Sequence, residues 1–311
     1  MKKYFIITVD TEGDNLWVYN HGDEITTSNT NYIVRFQDLC TKFNFAPVYL
    51  TNFEMINDNG FVDFVKPLSH ANKCEVGIHI HAWNNPPIYQ FSKNINQQSY
   101  LIEYPIDIMR QKFQTTYNLI SEKIGIKPVS HRAGRWAMNN QYFKILEEFN
   151  IKVDCSYTPH VDWSRNIGAR TGGSDYTNVG NEIRMIGNVL EVPMSIFKTK
   201  EKIRIGKKQQ LINILCFKAQ PKKIIWLRPA QSSLEDMKKN VDFVLGEESL
   251  DHLEFMIHSS ELMPGGSPYF KNEESIENLY QVMEELFKYI SFKGFVGCTL
   301  KDYYNYAMSQ N

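Results

Sequence analysis

The chain has 311 residues and 42% hydrophobic content, enough for one large α/β barrel or two modest domains and too apolar for a disordered protein. Lys plus Arg number 34 against 35 Asp plus Glu, a formal charge of −1, so no basic excess marks a nucleic-acid partner and none is expected. The five cysteines are scattered and lack Cys-x-x-Cys spacing, which argues against a disulfide framework or a thiolate zinc site and suits reduced core residues of a cytoplasmic protein.

The opening MKKYFIITVD carries an apolar run too short for a signal-peptide core, and no later segment has the length and apolarity of a transmembrane helix. From there short β-branched or apolar runs alternate with segments of helical period, the pattern of repeated βα units. Strands are expected in order at YFIITV, APVYLT, EVGIHI, PVSHR, KVDCS, KIIWLR, EFMIH and GFVGCT. Helices are expected between them at about Tyr32 to Phe43, Phe61 to Leu68, Ile108 to Ile124, Gln141 to Phe149, Leu234 to Leu245, Glu274 to Tyr289 and Lys301 to Ala307. Ser232 and Glu235 have the spacing of a capping box, and Gly125 followed by Pro128 should end the helix before them. The stretch from about 157 to 222 breaks the rhythm and reads as an excursion on the rim of one barrel domain spanning 1–311. Its lysine-rich KTKEKIRIGKK could meet a membrane surface or a carrier lipid, although a solvated face is the ordinary fate of such a run.

Position gives the polar residues their meaning. Asp10 and Glu12, Thr51 and Asn52, His79 and His81, His131 and Arg132, Asp154, Arg228 and His258 each fall at or just beyond the end of an apolar strand. In a parallel barrel these ends open on one face, where βα loops build active sites. Any one of them could be a helix cap; seven such coincidences favour a site.

The pair in EVGIHIHAW is the sharpest signal. Side-chain period two puts His79 and His81 on one face, close enough for both rings to reach one ion. A carboxylate would complete a His₂-carboxylate metal site, and DTEGD offers Asp10, Glu12 and Asp14. His258, at the head of the loop HSSELMPGGSPY, could serve as an acid or base near neutral pH, with Gly265 and Gly266 bringing backbone close to a ligand. Arg132 could orient a carboxylate through its guanidinium fork. Trp83, Tyr89, Trp136 and Trp163 lie in nearby loops and would suit stacking on sugar rings.

In this order DTEGD, GIHIHAWNNPP, SHRAGRW and IHSSELMPGGSPY resemble the successive motifs of the polysaccharide deacetylase superfamily, carbohydrate esterase family four, over Tyr4 to about Tyr269. The chain is most similar to the divergent branch associated with bacterial surface-polysaccharide biosynthesis. The resemblance implies a deformed (β/α) barrel of seven or eight strands and a divalent metal of zinc type, with cobalt, manganese or nickel as substitutes. It implies Asp10 as base, Arg132 as the arginine that orients it, His258 as acid and His79 as a metal ligand. Two departures stand out: the usual adjacent aspartates become Asp10 and Thr11, which passes the acidic ligand to Glu12 with Asp14 in reserve, and the usual second histidine four positions on is replaced by His81. The substrate-binding set is expected to be Trp83, His131, Trp136, Gly265 and Gly266.

The expected activity is removal of N-acetyl groups from an amino sugar of a cell-surface polysaccharide or its precursor, by attack of a metal-activated water. Its rivals are hydrolysis of another amide, an ester or a phosphoester, and carbohydrate binding without turnover.

Overall fold

The computed structural model describes residues 2–20, 22–91, 98–202 and 222–310, with the side chains of 200–202 left out. The first strand, β1 (Tyr4–Thr11), is buried along its whole length, as expected of a strand covered on both faces in a parallel sheet. Its neighbours are β10 (His252–His258) on one side and β2 (Val48–Thr51) on the other, both parallel. From β2 the sheet continues in parallel through β3 (Glu75–Ile80), β4 (Ser130–Ala133), β5 (Val153–Asp154) and β7 (Val189–Glu191), and ends on the antiparallel β6 (Arg184–Ile186). The short β11 (Val296–Gly297) pairs with the start of β1. This curled sheet with helices packed on its outer face is a deformed (β/α) barrel, as the sequence leads one to expect.

Alternation along the strands separates two environments. Phe5, Ile7 and Val9 of β1 and Leu253, Phe255 and Ile257 of β10 point outward into the large apolar core beneath the helices. The helices that cover it carry apolar stripes, such as Ile33, Phe36, Leu39 and Cys40 in α1 (Thr30–Lys42). Others in this layer are α2 (Phe53–Asn57), α3 (Asn59–His70), α4 (Ile106–Ile124), α5 (Asn140–Glu148), α6 (Leu234–Gly246) and α7 (Glu273–Phe292). Gly125 ends α4 with φ of 84°, a left-handed conformation that glycine adopts without a Cβ penalty.

On the inner face Tyr4 and Ile6 join Val48, Leu50, Val153, Cys155 and Leu190 in a smaller core. Helix α8 (Leu300–Ser309) adds Leu300, Tyr303 and Ala307 to it and so plugs the bottom of the barrel. Continuing up β1 at the same parity come Thr8, Asp10 and, just past the strand, Glu12. The inner face therefore turns from apolar at the base to polar at the mouth, and that gradient places the candidate site.

Three expectations change. KIIWLR does not enter the barrel sheet: β9 (Lys222–Trp226) pairs antiparallel with β8 (Ile196–Lys202) in a separate two-stranded sheet. The excursion, conversely, contains β7, which extends the main sheet beside β5, because VLEVPMSIF divides at its proline into two strands. The start of α6 lies one residue later than the capping-box spacing suggests. Ser233 caps the helix by accepting from Asp236 N at 3.2 Å, while the Ser232 hydroxyl accepts from Trp226 N at 2.9 Å. Residues 203–208, most of the lysine-rich stretch, lie outside the described residues.

Candidate functional site

Strand register brings the inner-face residues together. Asp10 sits opposite His258 across β1 and β10, and His79 opposite Arg132 across β3 and β4. His81 follows β3 by one residue and is fixed by its backbone N–H, which donates to Asn52 Oδ1 at 3.2 Å. Behind it lies Gly134, where any Cβ would strike the Ile80 carbonyl and the His81 ring, so only glycine lets β4 pass this close. Trp83 stacks on the other face of His81, with centroids 4.4 Å apart at 26°.

Glu12, His79 and His81 meet at one point. His79 Nε2 lies 3.1 Å from His81 Nε2 and 3.5 Å from Glu12 Oε2, and His81 Nε2 lies 3.1 Å from Glu12 Oε2. Whether these residues suit a metal can be judged from three observations. Ligand atoms about 2.0–2.1 Å from a tetrahedral ion are about 3.3 Å apart, which the three separations bracket. Glu12 Oε2 is buried with no hydrogen-bond partner, which would be costly unless a cation faces it. His79 Nδ1 donates to the Arg132 carbonyl at 2.9 Å, which leaves the Nε2 lone pair directed at the cluster, the usual arrangement behind a ligating histidine. The donor set fits a zinc-type ion.

Electrostatics treat the two imidazoles differently. Burial depresses the His81 pKa well below the usual imidazole value, aided by His79 and His258, so its ring is neutral. Burial also works against a charged His79, but Asp10 and Glu12 outweigh it and raise the pKa. Asp14 is turned away: it accepts from the Thr26 hydroxyl and from Asn29 N at 3.1 Å, and so ties down its own loop.

Beside the cluster, burial would raise the Asp10 carboxyl, but Arg132 leads His79 and His258 in holding it below the ordinary carboxylate value. Arg132 Nη1 donates to Asp10 Oδ1 at 2.6 Å, while Nη2 donates to Thr8 Oγ1 at 2.8 Å and to Glu254. Burial pushes Glu254 up to about 7 in spite of that arginine. Asp10 Oδ2 faces His258 Nε2 at 3.9 Å, and Glu12 Oε1 lies 3.8 Å from the same nitrogen.

The other nitrogen of His258 is set from behind. Arg228 Nη2 lies 2.9 Å from Nδ1 and 2.9 Å from Glu261 Oε1. Arginine can only donate, so Nδ1 is the acceptor and the ring proton sits on Nε2, facing the cleft. Glu261 Oε2 is 3.4 Å from Nδ1, but it already takes the His258 N–H at 2.8 Å. Burial opposes the charge on Glu261, yet Arg228 and His258 bring its pKa down to about 2.

These residues floor an open cleft of about 230 Å³, somewhat smaller than the ~300–1,000 Å³ of most ligand pockets. One wall is Trp17, edge-on to His258 at 5.1 Å and hydrogen-bonded through Nε1 to Ser260 Oγ at 3.0 Å. The opposite wall is Trp136 stacked on Trp163, with centroids 5.0 Å apart at 18°. Tyr100 and Arg135 close one end.

Of the residues expected to bind substrate or stack on it, Trp136 and Trp163 line this cleft, whereas Trp83, Tyr89, His131, Gly265 and Gly266 do not. His131 is a correction. It precedes Arg132 by one residue, so alternation sends it to the outer face, where it is wholly buried between Asp154 Oδ1 at 2.6 Å and Tyr142 OH at 2.7 Å. Gly265 and Gly266 fold the loop after β10: Gly265 N donates to Phe270 O and Gly266 N to Met263 O. Trp83 supports His81 from outside the cleft. Trp17, Arg135 and Glu261 were not expected, and Arg228 was expected at a strand end but without a role; Trp17 and Arg135 lie within or just after quoted motifs, whereas the Arg228–Glu261 contact spans 33 residues and has no local signal.

No protein-family model and no curated protein sequence matches the chain. Among solved structures, a Mycobacterium smegmatis protein classed provisionally as a polysaccharide deacetylase matches with a TM-score of 0.54 at 12% identity, covering 100% of this chain and 92% of that one. A 4-alpha-glucanotransferase from Thermococcus litoralis matches with a TM-score of 0.57 at 12% identity, covering 97% of this chain and 40% of that one. Two different activities share the likeness, so it speaks for architecture and leaves the chemistry to the site. The chain has the deformed (β/α)-barrel fold found in a polysaccharide deacetylase-like protein.

Proposed function

We propose that the protein is a metal-dependent hydrolase that removes N-acetyl groups from an amino sugar of a cell-surface polysaccharide or its precursor. The observation that carries this is the convergence of Glu12, His79 and His81 on the floor of a tryptophan-walled cleft, with an ionised aspartate and a histidine N–H beside it. Glu12 Oε2 and the two Nε2 atoms would hold the ion. When bound, it supplies Lewis acidity, making a water acidic and polarising the acyl carbonyl.

Asp10 accepts the proton of the attacking water through Oδ2, the oxygen that Arg132 leaves free. Arg132 keeps Asp10 ionised and fixes its direction. The proton that Asp10 takes from the water passes on to the amine nitrogen as the C–N bond breaks, since an amine leaves poorly until protonated, and the Nε2–H of the neutral His258 hydrogen-bonds the reacting group and steadies it for that transfer. Trp17 and the Trp136–Trp163 stack flank the sugar and restrict bulk water. The walls suit a carbohydrate better than a flexible peptide, which is why an amino sugar is preferred to other amides.

The test joins elemental analysis of the purified protein to acetate release from a panel of N-acetylated sugars and glycans. About one equivalent of zinc-type metal and acetate release from at least one member are expected. Full activity in a His79→Ala, His81→Ala double variant would overturn the reading. Release only from ester or phosphoester substrates would redirect it to another bond.

A further inference from the structure

Arg135 is the one arginine or lysine lining the cleft among the described residues. It reaches the cleft through an unusual backbone: Arg135 has φ of 55° and ψ of 25°, and Trp136 follows with φ of 55°. Two successive non-glycine residues in the left-handed region are uncommon, and such strain persists where packing enforces it. The residue before them, Gly134, is pressed against Ile80 and His81. The turn throws one side chain to each part of the cleft, Trp136 to the wall and Arg135 to the end.

The guanidinium lies over the Tyr100 ring, 4.1 Å from its centroid. Nη1 donates to the Gln98 carbonyl and Nη2 reaches the Ile167 carbonyl at 3.5 Å. Both acceptors are neutral. The buried Arg132 and Arg228 each meet a carboxylate, whereas Arg135 has none within ion-pair distance among the described residues. The acid nearest in sequence to Tyr100, Glu103, is committed elsewhere: it accepts from Tyr100 N at 2.6 Å, Ala169 N at 2.9 Å, Thr171 N at 2.7 Å and Arg170 N. Burial accordingly lowers the Arg135 pKa, with Tyr100 and Glu103 only partly offsetting it. A partly desolvated cation with donors to spare and no counter-charge is relieved by an anion. Arg135 lines the same cleft as Asp10, Glu12, His79 and His81, so that anion would share the cleft with the reacting centre.

We infer that the Arg135 end of the cleft is a subsite for an oxyanion, carboxylate or phosphate, carried by the sugar that presents the acyl group. The substrate would then be an acidic or phosphorylated amino sugar. This rests on reading the cleft as the deacylation site. Tyr100 and Arg135 form a cationic, flat end wall, and the Trp136–Trp163 stack holds the sugar ring between that wall and the floor.

Calorimetric titration of the metal-loaded full chain tests this without needing turnover. The probes are N-acetylglucosamine, its 1-phosphate and N-acetylglucosaminuronic acid, so the phosphate and carboxylate sources are separate arms. At least one charged probe should bind about tenfold or more tighter than the neutral sugar, the scale of a charge-assisted hydrogen bond. Arg135→Gln should close that gap. Equal affinities for all three sugars, or a gap unchanged in Arg135→Gln, would overturn the subsite. Should that variant not fold, Arg135→Lys decides: it keeps the charge but loses the fork, and the gap should shrink about threefold or more; an unchanged gap counts against the subsite. Acetate release assayed in parallel separates the two readings. Arg135-dependent binding without release supports the subsite and sinks deacetylation, and release with no preference for charge does the reverse.

Discussion

His131 and Arg132 are neighbours on one strand, and both are wholly buried, yet they belong to polar clusters of opposite kinds. On the outer face His131 is closed. Its two nitrogens are taken by Asp154 and Tyr142, and Asp154 is further held by the Ser156 hydroxyl at 2.8 Å. Burial and the charge of Asp154 raise the Glu191 pKa well above the ordinary 4.5, favouring its protonated form; its Oε1 accepts from Tyr157 N at 2.8 Å, and its Oε2, like Glu12 Oε2, is buried without a hydrogen-bond partner. On the inner face Arg132 backs an open cluster, in which Glu12 Oε2 has no partner and two imidazole nitrogens point at it. The difference teaches that burial and polarity do not mark chemistry by themselves. Polar atoms that converge on one point at the floor of an open cleft, as Glu12, His79 and His81 do, mark it.

The contrast can be broken most directly by exchanging its ends. Glu12→Gln or His79→Ala should abolish stoichiometric metal and cut acetate release at least about 10⁴-fold. His131→Ala should keep the metal but lose about 3–5 kcal/mol of stability, as removal of one partner from a buried pair does. Elemental analysis and urea unfolding read both. Metal loss from the His131 variant alone would erase the distinction. Next in size, Asp10→Asn should keep the metal and slow turnover about 10²–10⁴-fold, the usual contribution of a general base.

A smaller effect is expected one layer out. Arg228→Lys keeps a cation beside Glu261 but withdraws the Nη2 donor from His258 Nδ1. A loss of about tenfold in kcat with little change in KM is expected, well inside the ~10²–10⁴ that a whole proton-transfer group contributes. Nitrogen-15 spectra of the His258 ring should show the Nε2–H tautomer in the parent protein and a mixture in the variant; an unchanged tautomer would show that Arg228 does not set it.

The smallest effect sharpens the closed cluster. A carboxyl whose folded pKa is raised binds more protons in the folded state than in the unfolded state, so its contribution to stability falls as pH rises above about 4.5 toward the folded value. Glu191→Gln copies the protonated form and should remove that slope. It should come within a few tenths of a kcal/mol of the parent near pH 4 and exceed it in stability at pH 7–8, measured by urea unfolding. A parent no less stable than the variant at the higher pH would mean that Glu191 is not held protonated.

Much of this was legible along the chain. Period-two spacing in EVGIHIHAW put two histidines on one face, and the recurrence of polar residues at strand ends picked out the mouth of the barrel. The same rule, applied to SHRA, would have sent His131 away from Arg132. What defeated local reading was the segment 157–222, where a barrel strand hides in an excursion and KIIWLR pairs with β8 instead of the barrel. Strand propensity shows that a segment is extended and is silent on its partner.

By itself the sequence determined the alternation of βα units and the parity that aligns Asp10 with Glu12 and His79 with His81. Those are properties of period and propensity, both set within a few residues. Only the tertiary structure decided that Glu12 and not Asp14 joins the histidines, that Arg228 governs the tautomer of His258, and that Arg135 faces the cleft without a counter-charge. Each of these depends on which residues far apart in the chain are brought within a few ångströms, and on which polar atoms remain unpaired once they are.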